Sequence, residues 1–472
     1  MRKRIYLLQH SYHALRATLF TLCFTLISLL PTLSYAQIVE PDTIWTKTYG
    51  GDNADIGVSV QHTYEGGYII CGSTESFGTG GYDVWLLKTD SLGDTVWTQT
   101  YGSLLNDWGW WVEQTPDSGF IIAGAAKSLG TGPSDLWLIK TDSHGDTTWT
   151  KTYGGMGNDY ARSVKTTFEG GYIICGASSS FNPHGDCDVY LIKTDSLGDA
   201  VWTKTYGDTG EDAGRAVHQT RDYGYIVVGE IQDVNLGDID VYIIKTDSLG
   251  DTLWTKVYGK FYDDKAHSVY ENADDNYIIT GYTEWPSLGS DIWLLKVDIT
   301  GDTLWVKQYG DTGDEAGGSV FQTTDGGYII CGYSNSYGTA FDAVYVLRAD
   351  SLGEIVWTKT IGGNNTENRG YSIQSIAQGE YILTGYSNTN NTSKDVYLVR
   401  LGKTESITET TEKPVAYFTS PTIIRGPLVL PENKKCKVYD ITGRTVDANK
   451  LAPGIYFIEI EGQITHKTIK VR

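Results

Sequence analysis

Residues 56–101 switch between runs that are apolar on both faces and runs in which apolar and polar positions take turns. GVSVQHT reads as a short strand, YEGG as a turn, and GYIICGST as a second strand with no polar face. ESFGTGG is a longer loop. It leads to DVWLLKTD, again apolar on both faces, and the turn SLGD leads to TVWTQTYG. Valine, isoleucine, tyrosine and tryptophan fill the runs while glycine, aspartate and serine punctuate them, which predicts four short antiparallel strands, A to D. No stretch shows helical periodicity with caps. Strands B and C need cover on both faces. Strand D alternates, with Trp97, Gln99 and Tyr101 on one side and Val96, Thr98 and Thr100 on the other. Lysines at the equivalent of position 99 (Lys47, Lys151, Lys204, Lys256 and Lys307) suit an outer edge and discourage edge-to-edge pairing.

The same pattern returns about every 52 residues, marked by Trp45, Trp97, Trp149, Trp202, Trp254, Trp305 and Trp357. Seven four-stranded sheets that each need cover on both faces predict an all-β chain folded as a seven-bladed β-propeller. The phase of the repeat predicts how it closes. The repeats open on a lone strand D (IWTKTYG, 44–50) and end on A, B and C only (YSIQSIA, EYILTGY, DVYLVRL). The N-terminal strand is expected to fill the vacancy in the last blade. An open solenoid would instead want caps, and none is visible.

Composition places this fold outside the cytoplasm. Arg2, Lys3, Arg4 and Arg16 precede an apolar run from Leu19 to Leu30, and Ser34-Tyr35-Ala36 reads as a cleavage site before Gln37. The run is short for a span of ~20 apolar residues, so residues 1–36 are expected to be a signal peptide; an uncleaved anchor is the alternative. No transmembrane span is expected in the mature chain. Cleavage would deepen the formal charge of −21 by four. Such a charge repels phosphate backbones and anionic lipid, which argues against nucleic acid as a partner. Cys71, Cys175 and Cys331 share one slot in different repeats, where other repeats carry Ala123, Val228, Thr280 and Thr384, so they read as small buried thiols. Cys187 lies one hairpin from Cys175, and a bridge between them stays open. No CxxC or Cys/His cluster points to zinc.

KTDSLGDTVW (88–97) resembles the tryptophan-docking repeat of quinoprotein propellers, although Asp90 stands one residue too near Trp97 and the quinoprotein cysteine pair is absent. GYIICG with its downstream turn and tryptophan resembles kelch repeats, with the glycine doublet reduced to Gly72. Both likenesses concern scaffold residues and imply no activity. Residues 42–401 also resemble the WTKTYGG-type repeats of exported bacterial proteins, which implies a secreted propeller. The tail is similar to the type A C-terminal sorting domain of the type IX secretion system. The matching positions are Tyr439, Asp440, Gly443, Arg444, Pro453, Gly454, Tyr456, Lys470 and Arg472. That resemblance implies export by the type IX machinery, via the periplasm, to the medium or the outer cell surface. On its residues alone the tail reads as a small immunoglobulin-like β-sandwich, which an ordinary adhesion module would share. The expected domains are a signal peptide 1–36, a propeller 37–402, a linker 403–414 and a sorting domain 415–472.

Chemistry is expected on one face. The A–B and C–D turns are uniform, whereas the B–C loops and D–A crossovers vary, and variation on a rigid scaffold marks recognition. Each crossover carries an acid before strand A: Asp55, Asp107, Asp159, Asp212, Asp264, Glu315 and Glu367. Two readings are open. The carboxylates shape their turns, or they ring the mouth of a central channel as a cation site, Ca2+ for example, or as an electronegative funnel. Trp108, Phe261, Tyr262 and Trp285 are candidate platforms for a sugar or peptide. Trp110 and Trp111 straddle a strand, so at least one belongs to the core. The mature histidines (His62, His144, His184, His218, His267 and His466) have no catalytic spacing, and no GxSxG elbow occurs. The chain is therefore expected to be a non-enzymatic binder of a glycan, peptide or protein through the B–C/D–A face. The alternatives are a carbohydrate-active enzyme using two of the face carboxylates and a passive surface component.

Overall fold

The computed structural model of the protein describes residues 39–233, 237–259, 262–285, 289–337, 341–363, 365–388 and 393–403. In the C-terminal part it describes 422–424, 436–440, 444–447, 451, 454–460 and 463–470. The signal-peptide region, linker residues 404–414, Phe261, Gly443, Pro453 and Arg472 lie outside the described residues. The chain divides into two compact units, residues 1–404 and 405–472.

The first unit is an all-β, seven-bladed propeller of four-stranded antiparallel sheets. In blade 1, strand A is Asp55–His62, B is Tyr68–Thr74, C is Asp83–Thr89 and D is Thr95–Tyr101. Blades 2 to 6 start at Asp107, Asp159, Ala213, Asp264 and Glu315 with the same strand order. In blade 7 the strands Glu367–Ala377, Glu380–Asn388 and Asp395–Gly402 are joined by the N-terminal strand Asp42–Tyr49. Its Trp45 lies opposite Arg400 and its Tyr49 opposite Val396.

Strands B and C are buried along their whole length in blade 1, as two-sided cover demands. Each sheet packs on the next. Ile69, Cys71, Val84 and Leu86 of blade 1 form one cluster with Val112, Phe120 and Ile122 of blade 2. Each such side chain contributes about 1.5–3 kcal/mol on burial. The periodic tryptophans explain the repeat length. Trp97 packs edge-on against Phe120 of the next blade at 6.0 Å, and Trp45, Trp149, Trp202, Trp254, Trp305 and Trp357 meet a tyrosine in the same place. The same ring presses on the next blade's C–D turn. A Cβ on Gly145, which also needs a φ of +83°, would come within 2.8 Å of Trp97. Tyr101 donates its hydroxyl to the Gly145 carbonyl at 2.6 Å. The strand D lysines do more than guard an edge. Lys47, Lys151 and Lys204 pair with Asp94, Asp199 and Asp251 of the following blade at 2.7–2.8 Å.

Strand C departs from an apolar reading at its end. Lys140, Lys245 and Arg348 are buried there and pair with Asp117, Asp222 and Asp325 of the A–B turns. Cys71, Cys175 and Cys331 are fully buried free thiols, and Cys187 is free as well, so no Cys175–Cys187 bridge exists.

In the second unit the described strands make one five-stranded sheet, in the order Thr422–Ile424, Gln463–Lys470, Gly454–Ile460, Cys436–Asp440 and Thr445–Val446. Val438, Leu451 and Tyr456 are buried together.

Candidate functional site

Every strand A carries a register shift at the same place. It falls between residues 57 and 59, 109 and 111, 161 and 163, 214 and 216, 266 and 268, 317 and 319, and 370 and 372. The extra residue of a bulge is unpaired and re-aims its side chain. The seven extra residues are Val58, Trp110, Arg162, Arg215, His267, Gly318 and Tyr371. All seven line one cavity of about 510 Å³ on the propeller axis, together with Ile56, Ser73, Tyr82, Trp108 and Trp111. One position per blade, chemically different in nearly every copy, therefore builds the axial wall. The next residue is serine in five blades, and Ser59, Ser268 and Ser372 accept the backbone N–H of Val112, Val320 and Val60 in the neighbouring blades. Trp111 and Ala216 interrupt that serine series.

The cavity wall is aromatic and cationic. Trp108 and Trp110 stack at 6.3 Å with planes 13° apart, and the Arg162 guanidinium lies 4.1 Å above the Trp110 ring. Arg162 Nε is buried without a hydrogen-bond partner. Burial, and then the neighbouring Arg215, bring its pKa down to about 10. Arg215 donates from Nε to Glu230 at 2.8 Å and pairs with the same carboxylate through Nη2 at 2.7 Å. His267 Nδ1 lies 2.9 Å from the Gly317 carbonyl, and burial, then Arg215, push its pKa down to about 4, so it is neutral at pH 7.

The crossover acids do not ring this mouth as exposed carboxylates. Asp55, Asp107, Asp159, Asp212 and Glu315 are fully buried. Each accepts the backbone N–H four residues before it, from Gly51, Ser103, Gly155, Asp208 and Asp311, at 2.8–3.1 Å. Their second oxygens bind the start of the B–C loop, as when Lys127 N–H donates to Asp107 at 2.9 Å. They shape the turns. Asp264 is half-buried. Glu367 is a correction: register pairs Asp55 with Thr74 and Asn368 with Ser387, so Asn368 holds the equivalent position in blade 7. The last crossover (GGNNTENRG) is one residue longer than the first (GGDNADIG), which displaced the sequence count. Glu367 instead accepts the Tyr386 hydroxyl. Among the described residues, no group of three His, Cys, Asp or Glu side chains is placed to hold a metal.

A second acid series escaped the sequence reading, although it recurs at the start of strand C. It converges with the first series at the blade junctions. A Cβ on Gly102 would overlap Asp83 Oδ1 and lie 2.9 Å from Asp107 Oδ2. The pairs Asp395/Asp55, Asp135/Asp159, Asp188/Asp212, Asp240/Asp264 and Asp291/Glu315 flank Gly50, Gly154, Gly207, Gly259 and Gly310 in the same way. At the junction of blades 6 and 7 both acids are replaced, by Ala343 and Asn368. Burial, then Asp107, raises the Asp83 carboxyl above its usual range, and Asp212 rises to about 6, chiefly through burial.

Of the candidate platforms, Trp108 stands in the axial cavity. Tyr262 and Trp285, each 44% exposed, line a separate cavity of about 440 Å³ on blade 5 with Asp264, Glu284 and Trp293. Of the tail residues, Tyr456 is buried, Tyr439 half-buried and Arg444 exposed, while Asp440, Gly454 and Lys470 lie in strands.

No family model matches the chain. A stretch of 155 residues is 26% identical to the regulatory protein FlaEY of Caulobacter vibrioides, covering 28% of this chain and 16% of that protein's length. The WD40 domain of Neurospora crassa Pan2 superposes with a TM-score of 0.50 at 8% identity, over 78% of this chain and 96% of that one. PorZ, described as a surface component of the type IX secretion system of Porphyromonas gingivalis, gives a TM-score of 0.40 at 11% identity, over 90% of this chain and 60% of that one. The likeness to Pan2 concerns the fold, a β-propeller. No helix among the described residues is long and apolar enough to cross a membrane.

Proposed function

We propose that this chain is an exported β-propeller that binds a glycan, peptide or protein partner through its B–C/D–A face, with the axial cavity as the centre of recognition. The observation that carries this reading is the bulge series. A scaffold that repeats its tryptophans, turns and crossover acids almost unchanged presents valine, tryptophan, arginine, histidine, glycine and tyrosine at one equivalent axial position. The binding role is preferred over glycoside hydrolysis because the buried crossover carboxylates are committed to backbone N–H groups.

The N-terminal strand serves as the clasp of the ring, supported by its pairing with Asp395–Gly402 and by the packing of Trp45 on Tyr68. Residues 415–472 serve as the sorting domain, a small sandwich read by the type IX machinery after a signal peptide has brought the chain to the periplasm. The tail residues that match that domain support this route, and the destination is the medium or the outer cell surface.

The test is a glycan array and a surface-protein pull-down with the full chain, repeated with Trp110→Ala and Trp285→Ala. A partner lost on Trp110→Ala is expected. Partners that bind equally well to both variants, or no partner across broad screens, refute the reading.

A further inference from the structure

The axial cavity concentrates guanidinium groups in a chain whose formal charge is −21. Arg162 and Arg215 occupy equivalent bulges of adjacent blades and repel each other. One carboxylate, Glu230, faces them, and its close bonds go to Arg215. Arg162 has no carboxylate at ion-pair distance among the described residues. Trp110 holds its guanidinium plane from one side, Tyr160 lies 5.1 Å away, and the buried Nε keeps an unused donor. A stacked guanidinium without a carboxylate partner is organised to receive an oxyanion. Desolvation of the site strengthens that attraction.

The rest of the wall is neutral and mixes donors with acceptors: His267 gives its Nδ1–H to the Gly317 carbonyl and offers Nε2 as an acceptor, while hydroxyls can do both. His267 is uncharged at pH 7, and the Tyr371 phenol, pushed up to about 12 by burial, keeps its proton. Ser73 accepts the Gly109 N–H at 3.2 Å and retains its own hydroxyl proton for donation. Such groups match sugar hydroxyls, which also do both. A peptide backbone would instead bring its donors and acceptors on separate groups, N–H and C=O.

We propose that the axial cavity binds a carboxylate-bearing sugar, a uronic acid residue, with its carboxylate between Arg162 and Arg215 and its hydroxyls against His267, Ser73 and Tyr371. This rests on the B–C/D–A face being the recognition surface and names the class of ligand for it.

Titration calorimetry of the full chain tests the assignment, using digalacturonate, the neutral digalactoside and glutamyl-tyrosine as probes. Digalacturonate is expected to bind about tenfold or more tightly than the neutral sugar, since one charge-assisted contact is worth at least a factor of ten. Arg162→Gln and Arg215→Gln each weaken digalacturonate about tenfold, Arg162→Lys falls between, and the exposed Lys204→Gln leaves it unchanged. Added salt weakens the uronate and spares the neutral sugar. Melting temperatures check the fold. If Arg162→Gln lowers its own, the salt series and the probe comparison on the unaltered chain decide.

Equal affinity for the neutral sugar, or no effect of Arg162→Gln, overturns the carboxylate assignment and leaves the face as a glycan surface. Binding of glutamyl-tyrosine without digalacturonate overturns it in favour of a peptide carboxylate. Absence of digalacturonate binding at millimolar concentration overturns it while array partners at the face keep the broader reading.

Discussion

Replacing Asp83 by asparagine should stabilise the propeller at pH 7, although it removes a buried carboxylate that recurs around the ring. Asp83 is 1% exposed. Its Oδ2 accepts the Thr79 N–H at 2.6 Å, while its Oδ1 has no partner and points at Gly102, beside the Asp107 carboxylate. Two unit charges about 4 Å apart repel by about 4 kcal/mol at an effective dielectric of about 20. The orphaned oxygen adds a desolvation cost of about 1–3 kcal/mol. Asparagine keeps an acceptor for Thr79 and turns an amide donor towards Asp107, so repulsion becomes a charge-assisted bond. Allowing for imperfect geometry, the net gain is about 2 kcal/mol, which in a domain this large raises Tm by a few degrees.

The pH dependence is specific. Burial and Asp107 raise the Asp83 carboxyl in the folded protein. Its contribution to stability is therefore full below the unfolded carboxylate pKa and is lost as pH rises through the folded value. The advantage of Asp83→Asn should be largest at pH 7–8 and fade as acid protonates the native carboxyl, which then donates for itself. Differential scanning fluorimetry across that range, with chelator and with calcium, measures it. A lower Tm for Asp83→Asn at pH 7 in chelator refutes the reasoning. A calcium-induced rise in the native Tm that Asp83→Asn abolishes refutes it too, since the pair would then hold a cation.

Asp222→Asn should cost about 3 kcal/mol in urea unfolding, because it strands Lys245, whose side chain is 2% exposed; a cost under about 1 kcal/mol would show the lysine to be satisfied by the Thr246 carbonyl alone. Asp212, held at about 6 by burial despite two backbone N–H bonds, should make native stability fall by at most about 3 kcal/mol as pH rises from 4 to 7. Asp212→Asn should flatten that slope, and an unchanged slope by pH-dependent unfolding contradicts the assignment. Deleting residues 42–49 should leave Asp395–Gly402 as an unpaired edge and remove the Trp45 contact with Tyr68, which size-exclusion chromatography would register as aggregation. A monomeric deletion variant as stable as the parent would mean that blade 7 closes without its fourth strand.

The architecture was legible because its signals are local and repeated. Two-sided apolar strands demanded cover, and a period marked by seven tryptophans set the blade number. The site was much less legible. Counting residues back from strand A gave Glu367 as the seventh crossover acid, but a one-residue insertion in the last crossover puts Asn368 there. For the crossover acids the residues alone left two readings open, turn-shaping and a charged mouth; five of them are fully buried and accept backbone N–H groups of their own crossovers. The second acid series was visible at strand C in six of the seven repeats, yet its convergence with the first depends on blade packing, which no single repeat reveals. Lys245 and Arg348 ended strands that read as apolar, and only the fold showed their buried heads turned onto the turn carboxylates Asp222 and Asp325 and onto backbone carbonyls.

The bulge explains how a chain under such strict repetition can still carry individual chemistry. Within a blade, successive residues of strands B and C pack on opposite neighbouring sheets, so a change there disturbs a blade interface. The position after the bulge is serine in five blades, and in three of them its hydroxyl accepts a backbone N–H across the junction. The extra residue of the bulge escapes both constraints. It makes no ladder pair and points at the axis, where seven copies meet and no sheet packs on it. Side chains as different as arginine, tryptophan, histidine and valine stand there, while at Gly318 a Cβ would come within 2.8 Å of the Tyr371 carbonyl. Aligning the repeats by strand B, whose glycine (Gly72, Gly124, Gly176, Gly229, Gly281, Gly332, Gly385) fixes the register, would bring these seven residues into one column. That column contrasts with the glycines and alanines before it and with the mostly serine column after it. In a closed ring of near-identical sheets, the unpaired residue facing the axis is where selection for a ligand can act without unmaking the fold.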